Sequence, residues 1–263
     1  MKGLKGKRVL ITGASSGIGA GMAKVLAREG CHLILHYNRN QTGIEQTLKT
    51  VKSIGLKSGS KASILRCDFS ELTSLPEFFE QAWSIFSGLD GLVNNAGIVS
   101  KVTALKDPFG KQFSETLNVN LHAPYQLSNA FAQACIDAKQ AGVIVNNSSI
   151  HGQATCEWFS AYAASKAGLD AISKVQAIEW GPYQIRVNVL APGVVPVERT
   201  EDILLKPEMA QKWQQTMPAG RYGTTEEVGE ATAYLLSDAT AWMTGSILTI
   251  DGGLIARGNY PVR

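Results

Sequence analysis

Val9-Leu10-Ile11-Thr12-Gly13-Ala14-Ser15-Ser16-Gly17-Ile18-Gly19 carries the reading of the fold. A short β-branched run leads into a turn with three glycines, and an amphipathic stretch begins at about Gly17. Strand, glycine-rich turn and helix in that order can seat a dinucleotide. Glycine lets the backbone bend sharply and approach a pyrophosphate, while a helix N-terminus offers unpaired N–H groups and a partial positive charge. The spacing is GxxxGxG and not the GxGxxG of the usual fingerprint, and a strand-to-helix turn without a ligand is the alternative. Gly13, Ser15, Ser16, Gly17, Ile18 and Gly19 are the candidate phosphate-turn residues.

The same alternation continues through the chain. Strands are predicted at Arg8–Thr12, His32–Tyr37, Ala62–Arg66, Gly91–Asn94, Gly142–Asn147, Ile185–Leu190 and Ser246–Ile250. Several are nearly continuous apolar runs, as in strands buried on both faces. Helices are predicted between them at Gly17–Glu29, Gln41–Ile54, Leu75–Phe86, Gln112–Lys139, Ala161–Trp180 and Thr225–Ser237. Repeated βαβ units imply an α/β fold: a doubly wound, Rossmann-type parallel sheet of about seven strands with helices on both faces. No linker or repeat divides residues 1–263, so one domain is expected. Residues 192–218 break the rhythm with four prolines and read as a substrate lid with one or two short helices.

Composition narrows the partners. Of 263 residues, 44% are apolar and 18% charged, and the net charge of +3 is scattered, so neither a nucleic acid nor a membrane surface is expected as a partner. Cys31, Cys67, Cys135 and Cys156 form no CxxC pair, and the histidines have no metal-binding spacing, which disfavours a metal site and a disulfide framework. The basic N-terminus runs straight into a strand without an apolar leader segment, so a reduced, cytoplasmic protein is the expectation.

The end of the second strand bears on the cofactor. An acid there would accept the ribose hydroxyls of NAD, whereas a base accommodates the 2′-phosphate of NADP. The residues are His36-Tyr37-Asn38-Arg39-Asn40, without an acid. Arg39 favours NADP(H) over NAD(H), the alternative being a solvated loop arginine.

Tyr162 and Lys166 stand four apart at the start of a helical run and project from one face. A phenol with a pKa of about 10 is a weak acid–base catalyst near neutrality, and an adjacent ammonium is expected to lower it. Ser149 follows the strand Gly142–Asn147, at the carboxyl end where open α/β sheets bind ligands. Asn120 sits in an otherwise apolar helix, where asparagine marks either a kink or a function.

With Asp68, Asn94-Asn95-Ala96-Gly97, Pro192-Gly193 and Asp251-Gly252-Gly253, these motifs resemble the short-chain dehydrogenases/reductases over essentially the whole chain. The resemblance implies that Tyr162 exchanges a proton with the substrate oxygen while hydride passes to or from the nicotinamide. It implies that Lys166 bonds the ribose and lowers the tyrosine pKa, that Ser149 polarises the carbonyl, and that Asn120 holds a water leading to Lys166. Asp68 would meet the adenine, Asn94 would support the cofactor face of the sheet, and Asn95, Ala96, Gly97, Pro192, Gly193 and Val195 would line the nucleotide. The family's usual threonine in the loop after Pro-Gly is Val197 here, with Thr200 a possible substitute.

His151 and Trp158, in the polar and aromatic segment between Ser149 and Tyr162, are expected to border the substrate. That segment is similar to those of the family's glucose and polyol dehydrogenases, so a small alcohol or carbonyl substrate, a sugar or polyol, is expected. A 3-oxoacyl-carrier-protein reductase is the rival; the basic residues such enzymes present beside the cleft are replaced by Gln140 and Tyr183. A catalytically silent nucleotide-binding regulator is the alternative of another class. A homotetramer is expected from an apolar strip of Phe131, Cys135, Ile136, Ala171, Val175 and Ile178. The tail with Asn259, Tyr260 and Pro261 is expected to reach a neighbouring subunit.

Overall fold

The computed structural model describes residues 1–101 and 103–257, and the tail residues 259–261 lie outside them. Its first half runs β1 (Arg8–Ile11), α1 (Gly17–Arg28), β2 (His32–Tyr37), α2 (Gln41–Ser58), β3 (Ala62–Arg66), α3 (Leu75–Ile85) and β4 (Gly91–Asn94). The second half runs α4 (Lys111–Leu117), α5 (Ala123–Asp137), β5 (Gly142–Asn147), α6 (Ser160–Trp180), β6 (Ile185–Pro192), α7 (Glu201–Leu204), α8 (Pro207–Thr216), α9 (Thr225–Leu236) and β7 (Ile247–Ile250). The strands form one parallel sheet in the order β3-β2-β1-β4-β5-β6-β7. The order reverses between β1 and β4, and at such a switch point the loops leaving the strands diverge and open a crevice.

Successive side chains on a strand point to opposite faces, and β1 feeds both cores accordingly. Val9 and Ile11, with Leu33 and Leu35 of β2, pack with Met22, Leu26, Val228 and Leu235 of α1 and α9. Leu10, Ile34, Leu92 and Ile144 pack with Phe78, Leu127 and Phe131 of α3 and α5. Each fully buried Leu or Ile contributes about 2 kcal/mol, so the two layers hold the strand ends rigidly. Helix ends are fixed locally: Asn40 accepts from Gly43 N at 3.0 Å to start α2, and Thr224 with Glu227 forms a reciprocal capping box at α9.

The helix expected over Gln112–Lys139 is interrupted. Residues 118–122 form a π turn between α4 and α5, with Ala123 N donating to Asn118 O. The cause is Pro124, which has no N–H for the carbonyl of Asn120 and whose ring would strike that carbonyl in a regular helix. Pro192–Pro218 contains α7 and α8, and β6 runs two residues beyond the expected Leu190.

The expected apolar strip is also corrected. Phe131 and Cys135 are fully buried beneath the sheet, because the stripe of α5 that carries them faces the core. What remains exposed is Ala171, Val175 and Ile178 on α6, with Ile178 78% accessible. No described helix is long and apolar enough to cross a membrane.

Candidate active site

The carboxyl ends of β1, β4 and β5 are tied by a chain of hydrogen bonds that starts at the glycine turn. The Thr12 hydroxyl accepts from Asn95 N and Ala96 N, both at 2.9 Å, and donates to Val93 O at 3.3 Å. Asn95 Nδ2 donates to Thr12 O at 2.8 Å and Gly13 O at 3.1 Å. Asn147 Nδ2 donates to Asn95 Oδ1 at 2.9 Å, and Lys166 Nζ donates to Asn147 O at 2.7 Å. The lysine and the glycine turn are thus one connected network, whose members Thr12 and Asn147 were not among the candidate site residues.

Two glycines of the turn are required by crowding. A Cβ on Gly13, whose φ is +67°, would lie 2.8 Å from Ala96 Cα, and one on Gly19 would lie 2.1 Å from Gly13 O. Ser16 caps α1 in an extended conformation, and Ile18 packs against the core. The N–H of Gly17 is taken by Glu198, whose carboxylate oxygens lie 2.9 and 3.2 Å away.

His36 is another missed participant. Its Nδ1 accepts from Gly13 N at 3.0 Å, which leaves Nε2–H to donate to Cys67 O at 3.0 Å. The ring is stacked on Phe69 with centroids 4.0 Å apart, and burial lowers its pKa to about 4, so it is neutral. A histidine inside an otherwise apolar strand was the available signal.

Beyond the end of β2, Arg39 is 85% exposed and its guanidinium lies 3.8 Å from Asp68. Burial raises the Asp68 pKa, but bonds from Ser70 N and Oγ and the charge of Arg39 outweigh it and hold the carboxyl below its usual range. Arg66 Nε donates to Asn38 O at 3.0 Å, bringing a second guanidinium to the same strand end. Asn94 points the other way: its Nδ2 donates to Ser128 Oγ and Asn146 Oδ1, so it braces β4 against α5 and does not face the crevice.

The proposed chemistry gathers on α6 and the turn after β5. Tyr162 is half-buried and Lys166 buried on adjacent turns of α6, with Nζ 5.6 Å from the phenol centroid. The sequence reading expected the ammonium to lower the phenol pKa. Here burial raises it, opposed by a hydrogen bond with Ser149 and the charge of Arg199, because the ammonium points to Asn147 O and not to the hydroxyl. Burial brings Lys166 itself down to about 8, with Asp170 opposing and Arg199 reinforcing the shift. Arg199 was not singled out in the sequence.

Asn120 is fully buried, with Oδ1 accepting from Ile98 N and Nδ2 donating to Ile98 O and Ser165 Oγ. A Cβ on Gly97 would meet both Asn120 Oδ1 at 3.3 Å and Lys166 Nζ at 3.8 Å, which places the two beside each other. Both amide hydrogens of Asn120 are engaged, and its backbone carbonyl lies in the π turn, where Pro124 has no N–H to offer it.

His151 stacks on Phe159 at 4.5 Å and meets Tyr162 edge-on at 5.8 Å, forming one wall of the mouth. Lys101 Nζ lies 5.5 Å from the Phe159 centroid on the outer side. Trp158, at φ +71°, is 56% exposed. Pro192 is buried at the end of β6; Gly193 N donates to Ile250 O at 3.0 Å, and Val195 packs on the core. The Thr200 hydroxyl bonds Val197 N and O at 3.1 Å each, so it is occupied within its own turn. Gln140 and Tyr183 are not beside the cleft. Gln140 Nε2 donates to Leu89 O and its Oε1 accepts from Arg8, while Tyr183 precedes β6, and both therefore lie at the amino ends of the strands. Among the described residues no cluster of His, Cys, Asp or Glu is disposed to hold a metal ion.

Comparison with known proteins agrees with this architecture. The family model described as enoyl-(acyl carrier protein) reductase matches residues 13–255. The chain is a short-chain dehydrogenase/reductase. This dehydrogenase/reductase is 33% identical to 3beta-hydroxysteroid dehydrogenase 1 of Eggerthella lenta, over 95% of its own length and 94% of the relative's. It superimposes with a TM-score of 0.87 on a short-chain type dehydrogenase/reductase from Mycobacterium marinum, at 32% identity and 97% coverage of both chains. A candidate 2-deoxy-D-gluconate 3-dehydrogenase from Agrobacterium tumefaciens with bound NADP gives a TM-score of 0.84 at 31% identity, covering 97% and 98% of the two chains. The dehydrogenase/reductase is accordingly an oxidoreductase that uses NAD(P) for hydride transfer.

Proposed function

We propose that this enzyme moves a hydride between NADP(H) and a small hydroxylated alcohol or carbonyl compound of the sugar or polyol type. The observation that carries the reading is the convergence of Tyr162, Lys166 and Ser149 on the crevice of the glycine turn, joined to it through Asn147, Asn95 and Thr12. The glycine cradle and the carboxylate resting on Gly17 fit an anionic pyrophosphate. Bound nicotinamide supplies or accepts the hydride. Tyr162 exchanges a proton with the substrate oxygen, and Ser149 hydrogen-bonds that oxygen and orients the carbonyl. Lys166, whose pKa burial brings down to about 8, would hold the cofactor's ribose and stabilise the phenolate through its ammonium. The Asn120 carbonyl takes a water that leads from Lys166 toward solvent. Gly13 to Gly19, Asn95 to Gly97, Asp68, and Pro192 to Val195 line the nucleotide.

NADP(H) is favoured because no acid follows β2 and because Arg39 and Arg66 converge there, and a similar structure holds NADP. His151, Phe159, Trp158 and Lys101 give the mouth aromatic walls with polar groups, suited to a small hydroxylated ligand. Residues 192–218 act as the substrate lid of a single domain.

We also infer a cytoplasmic homotetramer. The cysteines are free thiols, and burial pushes Cys31 to about 12 and Cys135 to about 11, so these are not reactive redox groups. The exposed Val175 and Ile178 on α6, with the edge strand β7 and the exposed Trp242 beside it, offer two separate faces for a partner copy.

The test is nucleotide oxidation and reduction with a panel of sugars, polyols, diketones and acyl thioesters, on wild type and Tyr162→Phe. Loss of the proton-transfer hydroxyl costs about a hundredfold to ten-thousandfold in rate. Retention of more than about a twentieth of kcat in Tyr162→Phe would overturn the assignment.

A further inference from the structure

The contact between Glu198 and Gly17 joins the lid to the phosphate turn. Gly17 opens α1, so its N–H is one of the donors a helix leaves unpaired, at the positive end of the peptide dipoles. Both carboxylate oxygens of Glu198 lie within hydrogen-bond reach of that N–H, at 2.9 and 3.2 Å. Val197 closes over the same point: a Cβ on Gly17 would lie 3.0 Å from Val197 Cγ1.

The segment that delivers Glu198 is built. Thr200 N and Glu201 N both donate to Val197 O, at 2.7 and 2.9 Å, and the Thr200 hydroxyl ties the same peptide. Farther on, Tyr222 Oη donates to Leu204 O at 2.8 Å and Gly223 N to Val194 O at 3.1 Å, anchoring both ends of the segment on the loop before α9. A charge-bearing, two-oxygen acceptor is therefore held where the pyrophosphate oxygens of a dinucleotide would lie.

We propose that Glu198 is a latch, its carboxylate standing in for the pyrophosphate on Gly17 in the nucleotide-free enzyme, so that cofactor entry and release of the lid are one exchange of anions. This rests on the reading of residues 13–19 as the cofactor's phosphate turn. Carboxylate and pyrophosphate repel each other and compete for the same N–H, so both cannot occupy the seat. Displacement frees Val197 and moves Arg199, the neighbouring residue, whose charge acts on both Tyr162 and Lys166. The lid thereby reports cofactor occupancy to the reacting groups.

The latch weakens apparent nucleotide affinity by the fraction of molecules in which it is open; a latch closed ten to one costs about tenfold. Titration calorimetry of Glu198→Ala and Glu198→Gln with NADPH, NADH, ADP-ribose and adenosine tests this. Ligands that carry the pyrophosphate should bind about three- to tenfold more tightly to Glu198→Ala than to wild type, and adenosine should be unaffected. Without nucleotide, hydrogen exchange of the peptide containing Gly17 should be faster in both variants. Equal affinities for NADPH and NADH in wild type and Glu198→Ala, with unchanged exchange at Gly17, would overturn the latch alone. Failure of wild type to bind any of the pyrophosphate-bearing ligands would overturn the phosphate-turn reading and the latch with it. Glu198 is exposed and outside the cores, so both variants are expected to fold.

Discussion

His36 makes the stability of this enzyme depend on pH in a defined window. The imidazole is buried and neutral, with a pKa lowered from 6.5 to about 4 by burial, against the opposing effects of the Cys67 carbonyl and Asp68. Between pH 6.5 and 4 the unfolded chain binds a proton that the folded chain excludes, so stability falls as pH falls. At about 1.36 kcal/mol per pH unit, the window from 6.5 to about 4 amounts to about 3 kcal/mol. The contribution is complete above pH 6.5, is lost progressively down to pH 4, and does not change further below that. This is a large share of a typical folding free energy of about 5–15 kcal/mol. His36→Asn keeps an acceptor at the δ position for Gly13 N and removes the titration. Urea unfolding followed by circular dichroism, at one protomer concentration and at several pH values, isolates the effect as the difference between wild type and variant; carboxylates common to both cancel. That difference should shift by about 3 kcal/mol in favour of the variant between pH 7 and pH 4. A shift below about 1 kcal/mol would show that the imidazole is not held neutral by burial.

Lys166→Ala should both weaken nucleotide binding and lower kcat, whereas Tyr162→Phe should leave nucleotide affinity within about twofold; equal behaviour of the two in a binding titration would separate Lys166 from the cofactor. Arg39→Ala should weaken NADPH binding at least about tenfold more than NADH binding, and equal losses would show that Arg39 does not read the 2′-phosphate. Thr224→Ala should cost about 1 kcal/mol in urea unfolding through loss of the α9 capping box, with kcat unchanged. Sedimentation equilibrium should give four protomers at micromolar concentration, and a stable monomer would contradict the α6 and β7 faces as interfaces.

The sheet was legible because its strands are short, apolar and bounded by glycine or polar turns: β2, β3, β4 and β5 lie at the expected residues. The side chains proposed to react stood out in the sequence for a different reason, as they follow strand ends or share a helix face. What escaped was anything set by contact between distant segments. His36 reads as one polar residue in a strand, and only the fold brings Gly13 N to its ring. The direction of the Tyr162 shift escaped too, because a four-residue spacing does not reveal that the ammonium turns to Asn147. Glu198 and Arg199 lie in a segment without periodicity, and their placement depends on the turn that Thr200 closes. Phe131 and Cys135 were misplaced because the phase of α5 cannot be carried across the π turn from α4.

That π turn also constrains how the chain can change in length. It holds one residue more than a regular helix needs, and a residue is worth about 100° of rotation. Removing any one of residues 118–122 would leave Pro124 without a widened turn to accommodate it, or would rotate α5 until Leu127, Phe131 and Cys135 no longer faced the sheet. Replacing Pro124 alone would let the turn relax toward a regular helix and strain the same packing. The extra residue and the proline are therefore a coupled pair: viable descendants of this sequence keep both or lose both, with compensating changes along the buried edge of α5.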